Sequence, residues 1–280
     1  MKKVILFFIV VIFLLVLESN AYASAIGGIR INASRINFKV KGGESETAII
    51  NITNQREKLI ILAIENQDFC RDSLGNLVGL DVGMLNRGCS KFLTVSPSKI
   101  NLEPGEKTTL RITIEMPDSS DGTYWSRLAI NEVSENYSIE EDHGGGRIVK
   151  IFLEYCWEIY IYETVPESEI CEGEIAGAEI TFSDEGKRDI ELDFKNTGNI
   201  ILIGCNGYIE IRDELGETVE TLTINEFNVY PDAKRIITTE MPNTLKPGEY
   251  SALAVIDFGG DHLVAGEAFF EITEDSSSEE

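Results

Sequence analysis

Five cysteines, two histidines and 48 acidic residues are the side chains of this 280-residue chain with the most obvious chemistry. The cysteines are Cys70, Cys89, Cys156, Cys171 and Cys205. None is spaced as C-x-x-C, and two histidines cannot complete the usual ligand sets, so no metal is expected. In an oxidising compartment such cysteines pair. Cys70 and Cys89 bracket a polar, Gly-rich stretch, residues 71–88, and a disulfide between them would close that loop. The pairing of Cys156, Cys171 and Cys205 stays open. Cys156 has no basic neighbour in sequence to activate it, and reads as buried or paired. Carboxylates are spread along the whole chain, so no glycosidase-like pair stands out. Glu140-Glu141-Asp142-His143 could hold a cation but reads better as a solvated hairpin tip. There is no nucleophile elbow, phosphate loop, zinc-protease helix or calcium loop. The chain is expected to bind rather than catalyse, without a cofactor.

Binding first requires a compartment. Lys2 and Lys3 precede a 14-residue apolar run, residues 4–17, and Ala21-Tyr22-Ala23 follows. That order of basic, apolar and small residues reads as a secretory signal over residues 1–23. The run is short of the about 20 residues that span a bilayer, so no membrane insertion is expected after cleavage. The protein is therefore placed in the periplasm or at the cell surface. A net charge of −24 argues against nucleic acid and anionic lipid as partners.

The elements that position any site read as strands. Val, Ile, Thr, Tyr and Phe dominate residues 29–40, 47–53, 59–65, 108–116, 124–133 and 148–162. The same holds for 190–195, 208–212, 235–240, 250–257 and 268–272. Gly- and Pro-containing turns separate them, and no sustained helical period occurs after the signal. The fold class is all-β: two tandem immunoglobulin-like sandwiches, residues 24–163 and 164–273, hinged near Pro166, with a disordered acidic tail over 274–280.

An internal repeat supports two sandwiches. Residues 50–54 end in Asn54 before an apolar strand, and residues 192–196 end in Asn196 before another. Later, Met116-Pro117 leads to Gly122-Thr123-Tyr124, and Met241-Pro242 leads to Gly248-Glu249-Tyr250. A Tyr at that place can turn its hydroxyl onto loop backbone as a tyrosine corner, or simply fill the core.

The first half resembles the PapD-like pilus-chaperone superfamily over residues 29–162. The matching residues are Ile31-Asn32-Ala33-Ser34-Arg35-Ile36-Asn37-Phe38, the strand 50–54, Val95-Ser96-Pro97, Leu102-Glu103-Pro104-Gly105-Glu106, Leu110-Arg111-Ile112 and Tyr124-Trp125. The second half is similar to exported bacterial two-sandwich surface proteins, through Asn196-Thr197-Gly198 and Leu245-Lys246-Pro247-Gly248-Glu249-Tyr250. WxL-interacting proteins of cell-wall complexes share that plan, and imply a cell-surface or cell-wall binder as the alternative to a chaperone.

The chaperone resemblance implies a site. In that family an Arg on the first strand and a Lys on the last strand of the first domain hold a client's terminal carboxylate. Arg35 matches the first; residues 156–162 contain no Lys, and Lys150 lies too early in that strand to match. The resemblance implies that an exported client adds a strand along residues 148–162. Ile148, Phe152, Trp157, Ile159 and Ile161 are expected to meet its side chains, with Arg35 on its carboxylate.

Overall fold

Alternating burial builds two sheets from each half of the chain, and they enclose separate cores. The computed structural model describes residues 28–133, 138–142, 148–152, 155–182, 188–242 and 244–273. The expected signal segment and acidic tail lie outside them. In the first sandwich one sheet runs β1 (Ile29–Ile31), β3 (Ser45–Asn54), β8 (Lys107–Glu115), β6 (Leu93–Ser96). The facing sheet runs β2 (Arg35–Phe38), β12 (Cys156–Thr164), β9 (Thr123–Glu132), β4 (Ile60–Arg71), with β5 (Leu77–Leu80) and β7 (Lys99–Leu102) both on β4. Strand β8 shows the rule: Leu110, Ile112 and Ile114 point inward and their neighbours do not. Each such side chain contributes roughly 1.5–3 kcal/mol on burial.

In the second sandwich β13 (Gly173–Phe182), β14 (Arg188–Asn196) and β17 (Lys234–Glu240) face β16 (Thr218–Val229), β15 (Leu202–Asp213), β18 (Gly248–Asp257) and β19 (Val264–Ile272). Its core gathers Ile190, Phe194, Ile209, Ile211, Ile256 and Phe258. The fold is the expected all-β tandem of sandwiches.

The repeat is physical. Asn54 is buried; its Nδ2 donates to the carbonyls of Lys58 and Leu102 at 2.8 and 3.0 Å, and its Oδ1 accepts from Arg56 N. Asn196 does the same with Ile200 and Val229 at 2.8 and 3.0 Å, and accepts from Gly198 N. Each amide closes a turn and ties it to a neighbouring strand end.

Three expectations are corrected. Residues 29–40 form two strands: the chain pairs through Asn32 with Asn51, then crosses to the other sheet. Residues 148–162 do not form one strand either. They divide into β11 (Ile148–Phe152), which pairs with β10 (Ser138–Asp142), and β12. Finally, Cys70 and Cys89 are free thiols and the expected bridge between them is absent. Strand β4 presents Asp68 to the loop leading to Cys89: Gly83 N donates to Asp68 Oδ2 at 2.8 Å, and a Cβ on Gly88 would lie 2.5 Å from Asp68 Oδ1. The Cys89 thiol instead turns into the core, 3.1 Å from Ser126 Oγ, and burial pushes its pKa up to about 12.

A seam joins the sandwiches. Phe69 and Trp125 pack with Tyr230, and Trp125 Nε1 donates to Phe69 O at 2.8 Å. Thr123 N donates to Asn199 O, and Asn199 Nδ2 to Asp121 Oδ2, both at 2.8 Å. Glycine is required at Gly122, whose φ is +64° and whose Cβ would stand 2.2 Å from Asn199 O.

Candidate functional site

Strand β12 has two faces, and they separate the expected site residues. Ile159 and Ile161 are 1% and 0% exposed in the first core, and Trp157 packs against that core. This corrects the assignment of Ile159 and Ile161 to a partner's side chains: period-two alternation sends them inward with the sheet's apolar face, while Trp157 stays half-buried. Cys156, Glu158, Tyr160 and Tyr162 point the other way. Ile148 and Phe152 fall on β11, and their side chains, like that of Lys150, lie outside the described residues.

The edge of β12 is half covered. Strand β2 lies parallel to it with Arg35 opposite Tyr160 and Phe38 opposite Glu163. Tyr160 N donates across to Ser34 O at 3.0 Å. On the other side β12 pairs with β9, and Glu132 N donates to Tyr155 O. Even-numbered residues of β12 thus turn their backbone groups toward β2 and odd-numbered ones toward β9. Upstream of Tyr160 the β2 side has no strand among the described residues, so the backbone of Cys156 and Glu158 faces an open edge. Beside it lies a groove of about 630 Å³, walled by Ile29, Ile31 and Ala33 on one side and by Tyr155, Trp157 and Ile159 on the other. Tyr155 and Trp157 stack at 5.8 Å, and the Arg56 guanidinium lies 5.1 Å from the Tyr155 ring.

On the outer face, register lines up Arg35, Tyr160, Arg127 and Gln67 across four strands. Arg127 and the Tyr160 hydroxyl both hold the Glu158 carboxylate, the hydroxyl at 2.8 Å. Burial, then that hydrogen bond, raises the Tyr160 pKa. Arg127 is roofed by β5, where a Cβ on Gly79 would meet its Nη2 at 2.8 Å. Arg35 is exposed and lies 4.2 Å over the Tyr162 ring. It has no carboxylate partner among the described residues, in a chain of net charge −24. Below it, Glu163 is fully buried; Oε1 accepts from Val40 N at 2.7 Å and Oε2 has no partner. Burial pushes its pKa up to about 7. That carboxyl fastens the chain just after β2 to β12.

The residues missed from sequence are Tyr160, Tyr162 and Tyr230. The first two alternate with Ile159 and Ile161, so period two alone separates them from the core. Tyr230 comes from the other sandwich and has no local signal.

No family model matches the chain, and no curated protein matches it in sequence. Solved structures do resemble it. A chaperone–tip adhesin complex of CFA/I fimbriae superposes with a TM-score of 0.48 at 13% identity, over 86% of this chain and 97% of that one. The class 5 fimbriae chaperone CfaA gives 0.43 at 13%, over 88% and 99%. The CsuC–CsuE chaperone–tip adhesion subunit complex from Acinetobacter baumannii gives 0.43 at 11%, over 87% and 97%. At these values the likeness carries no function to this chain.

Proposed function

We propose that the protein is an extracytoplasmic chaperone or assembly factor that takes up an extended segment of an exported partner as an added strand on β12. The observation that supports this is the half-covered edge: residues 160–163 are paired by β2, and residues 156–159 are not. An unpaired strand edge beside an apolar groove suits strand addition, where backbone hydrogen bonds supply affinity and alternate side chains enter the groove. The partner's inward side chains would lie against Ile29, Ile31, Ala33 and Trp157.

The direction follows from β2. Because β2 runs parallel to β12 and starts at Arg35, a strand in line with it over residues 156–159 would end at Arg35 if it also ran parallel. A terminal carboxylate is then met by a guanidinium that stacks on Tyr162 and has no carboxylate partner among the described residues, and whose fork can hold both oxygens. The test is capture from an envelope extract by wild-type protein and by Arg35→Ala. Wild type is expected to retain an exported protein through its carboxy-terminal segment, and folded Arg35→Ala to lose it. Equal retention by both would overturn the carboxylate anchor.

A further inference from the structure

Two thiols converge at one end of the second core. Cys171 lies on the connection between the sandwiches, just ahead of β13, and packs on the core to which Cys205 of β15 belongs. The connection is fixed there by backbone. Asn199 N donates to Ile170 O, and Thr197 N and Gly198 N both donate to Glu172 O, so residues 170–172 lie along the turn that leads into β15. The two segments run so close that a Cβ on Gly198 would stand 2.2 Å from Ile170 O. Cys205 reaches the same core through a bulge. Leu202 points inward, and strict alternation would send Gly204 inward and Cys205 to solvent. Instead Gly204 takes φ +71°, the register on β16 shifts between Leu202 and Cys205, and the Cys205 thiol turns into the core, fully buried. Both thiols lie close to the β18–β19 connection, Cys171 by Asp261 and Cys205 by Asp257, and Cys205 also feels the charge of Cys171. Among the described residues no other two cysteines share a core: Cys89 belongs to the first, and Cys70 and Cys156 to neither.

We propose that Cys171 and Cys205 are a site of oxidative cross-linking, and that their disulfide staples the connection between the sandwiches to β15. In the structure both are thiols. The oxidant is another disulfide, that of glutathione or of a thiol–disulfide oxidoreductase, as an oxidising compartment supplies; in the cell the bridge therefore rests on the extracytoplasmic location proposed above. Cys171 is the less buried thiol, so its thiolate attacks first, forming a mixed disulfide and releasing one thiol of the oxidant. Cys205 then gives up its proton and attacks the Cys171 sulfur, and the second thiol leaves. The two electrons and two protons of the cysteines end on the oxidant, which departs as two thiols. Burial raises the pKa of both cysteines, that of Cys205 to about 12, so the second step is slow once the core has closed and the bridge forms during folding. The staple sits beside Asn199, whose carbonyl accepts from Thr123 N and whose Nδ2 donates to Asp121 in the first sandwich. It thus fastens the second sandwich at the end that meets the first.

The test refolds the whole protein from denaturant in a mixture of reduced and oxidised glutathione. Remaining thiols are alkylated in denaturant and the peptides mapped by mass spectrometry. A peptide pair linked through Cys171 and Cys205 is expected, with Cys70, Cys89 and Cys156 alkylated. Against the same protein kept reduced, the thermal midpoint is expected to rise by on the order of 10 °C. Cys171→Ser leaves the buried Cys205 in place and is expected to abolish that rise. The absence of a linked pair, glutathione left unresolved on Cys171, or Cys205 linked to a different cysteine overturns the bridge. A linked pair that leaves the midpoint unchanged overturns the staple. The same mapping is then made on protein alkylated inside cells that express the full chain. A bridge that forms in vitro but is absent from the cells sustains the site and removes the extracytoplasmic location instead.

Discussion

The last strands of the two sandwiches, β12 and β19, occupy equivalent places and are guarded in different ways. Among the described residues strand β19 pairs only with β18, and it carries Glu267 and Glu271 exposed along it. Charged side chains on an edge deter further strands. Strand β12 has one carboxylate on its open half, Glu158, and Arg127 and Tyr160 hold it. Its remaining edge is closed by β2. The first strand of the second sandwich, β13, runs unbroken along β14 apart from a bulge between Ile175 and Gly177, and among the described residues it pairs with no part of β19. The two copies thus differ through two local changes in the first: a first strand that breaks at Asn32 and crosses sheets, and an edge carboxylate that is held in place by Arg127 and Tyr160.

The largest effect expected tests whether the frame is really duplicated. Asn54→Ala and Asn196→Ala each orphan buried carbonyls, and each should cost about 3 kcal/mol in chemical denaturation. Equal losses support one structural role in both copies; a negligible loss at either site breaks the equivalence.

A smaller effect separates the copies by pH. Glu163 has no counterpart in the second sandwich with a raised carboxyl pKa among the described residues. Its folded pKa of about 7 exceeds the ordinary 4.5, so the folded state holds a proton that the unfolded state has released. The contribution of this group to stability should therefore be greatest below pH 4.5 and be lost progressively as pH rises through 7. Glu163→Gln should flatten that part of the difference between wild type and variant, read as denaturation midpoints across pH 4–8. An unchanged slope would show that Glu163 titrates normally.

The smallest effect concerns the Gly-x-Tyr elements. The Tyr250 hydroxyl donates to Lys246 O at 2.9 Å, a corner bond. Tyr124 instead packs on Phe92 at 6.2 Å under Arg87, and its hydroxyl makes no hydrogen bond among the described residues. Tyr250→Phe should cost about 1 kcal/mol and Tyr124→Phe almost nothing by thermal denaturation. Equal costs would erase this distinction.

These comparisons also mark what could be read from sequence. The two sandwiches were legible because alternation and the Asn-ended strands depend on side chains adjacent in the chain. The strands β13 and β16 were missed, since Glu, Thr and Gly dilute their apolar pattern. The pairing of β2 with β12 was not legible: it joins residues far apart in the chain, and nothing near Arg35 states which half of β12 it will cover. The run 148–162 looked apolar on both faces, which hid both its division and the outward tyrosines. Cysteine spacing suggested a loop closure that the register of β4 does not provide.

The central claim is that residues 156–159 of β12 accept a strand, and residue-resolved amide exchange tests it directly. In the free protein the Cys156 and Glu158 amides should exchange fast, while those of Trp157 and Ile159, turned toward β9, stay protected. With a partner bound, Cys156 and Glu158 should become protected and the other two should not change. Fast exchange at Cys156 and Glu158 in the complex, or protection already present in the free protein, would contradict the account.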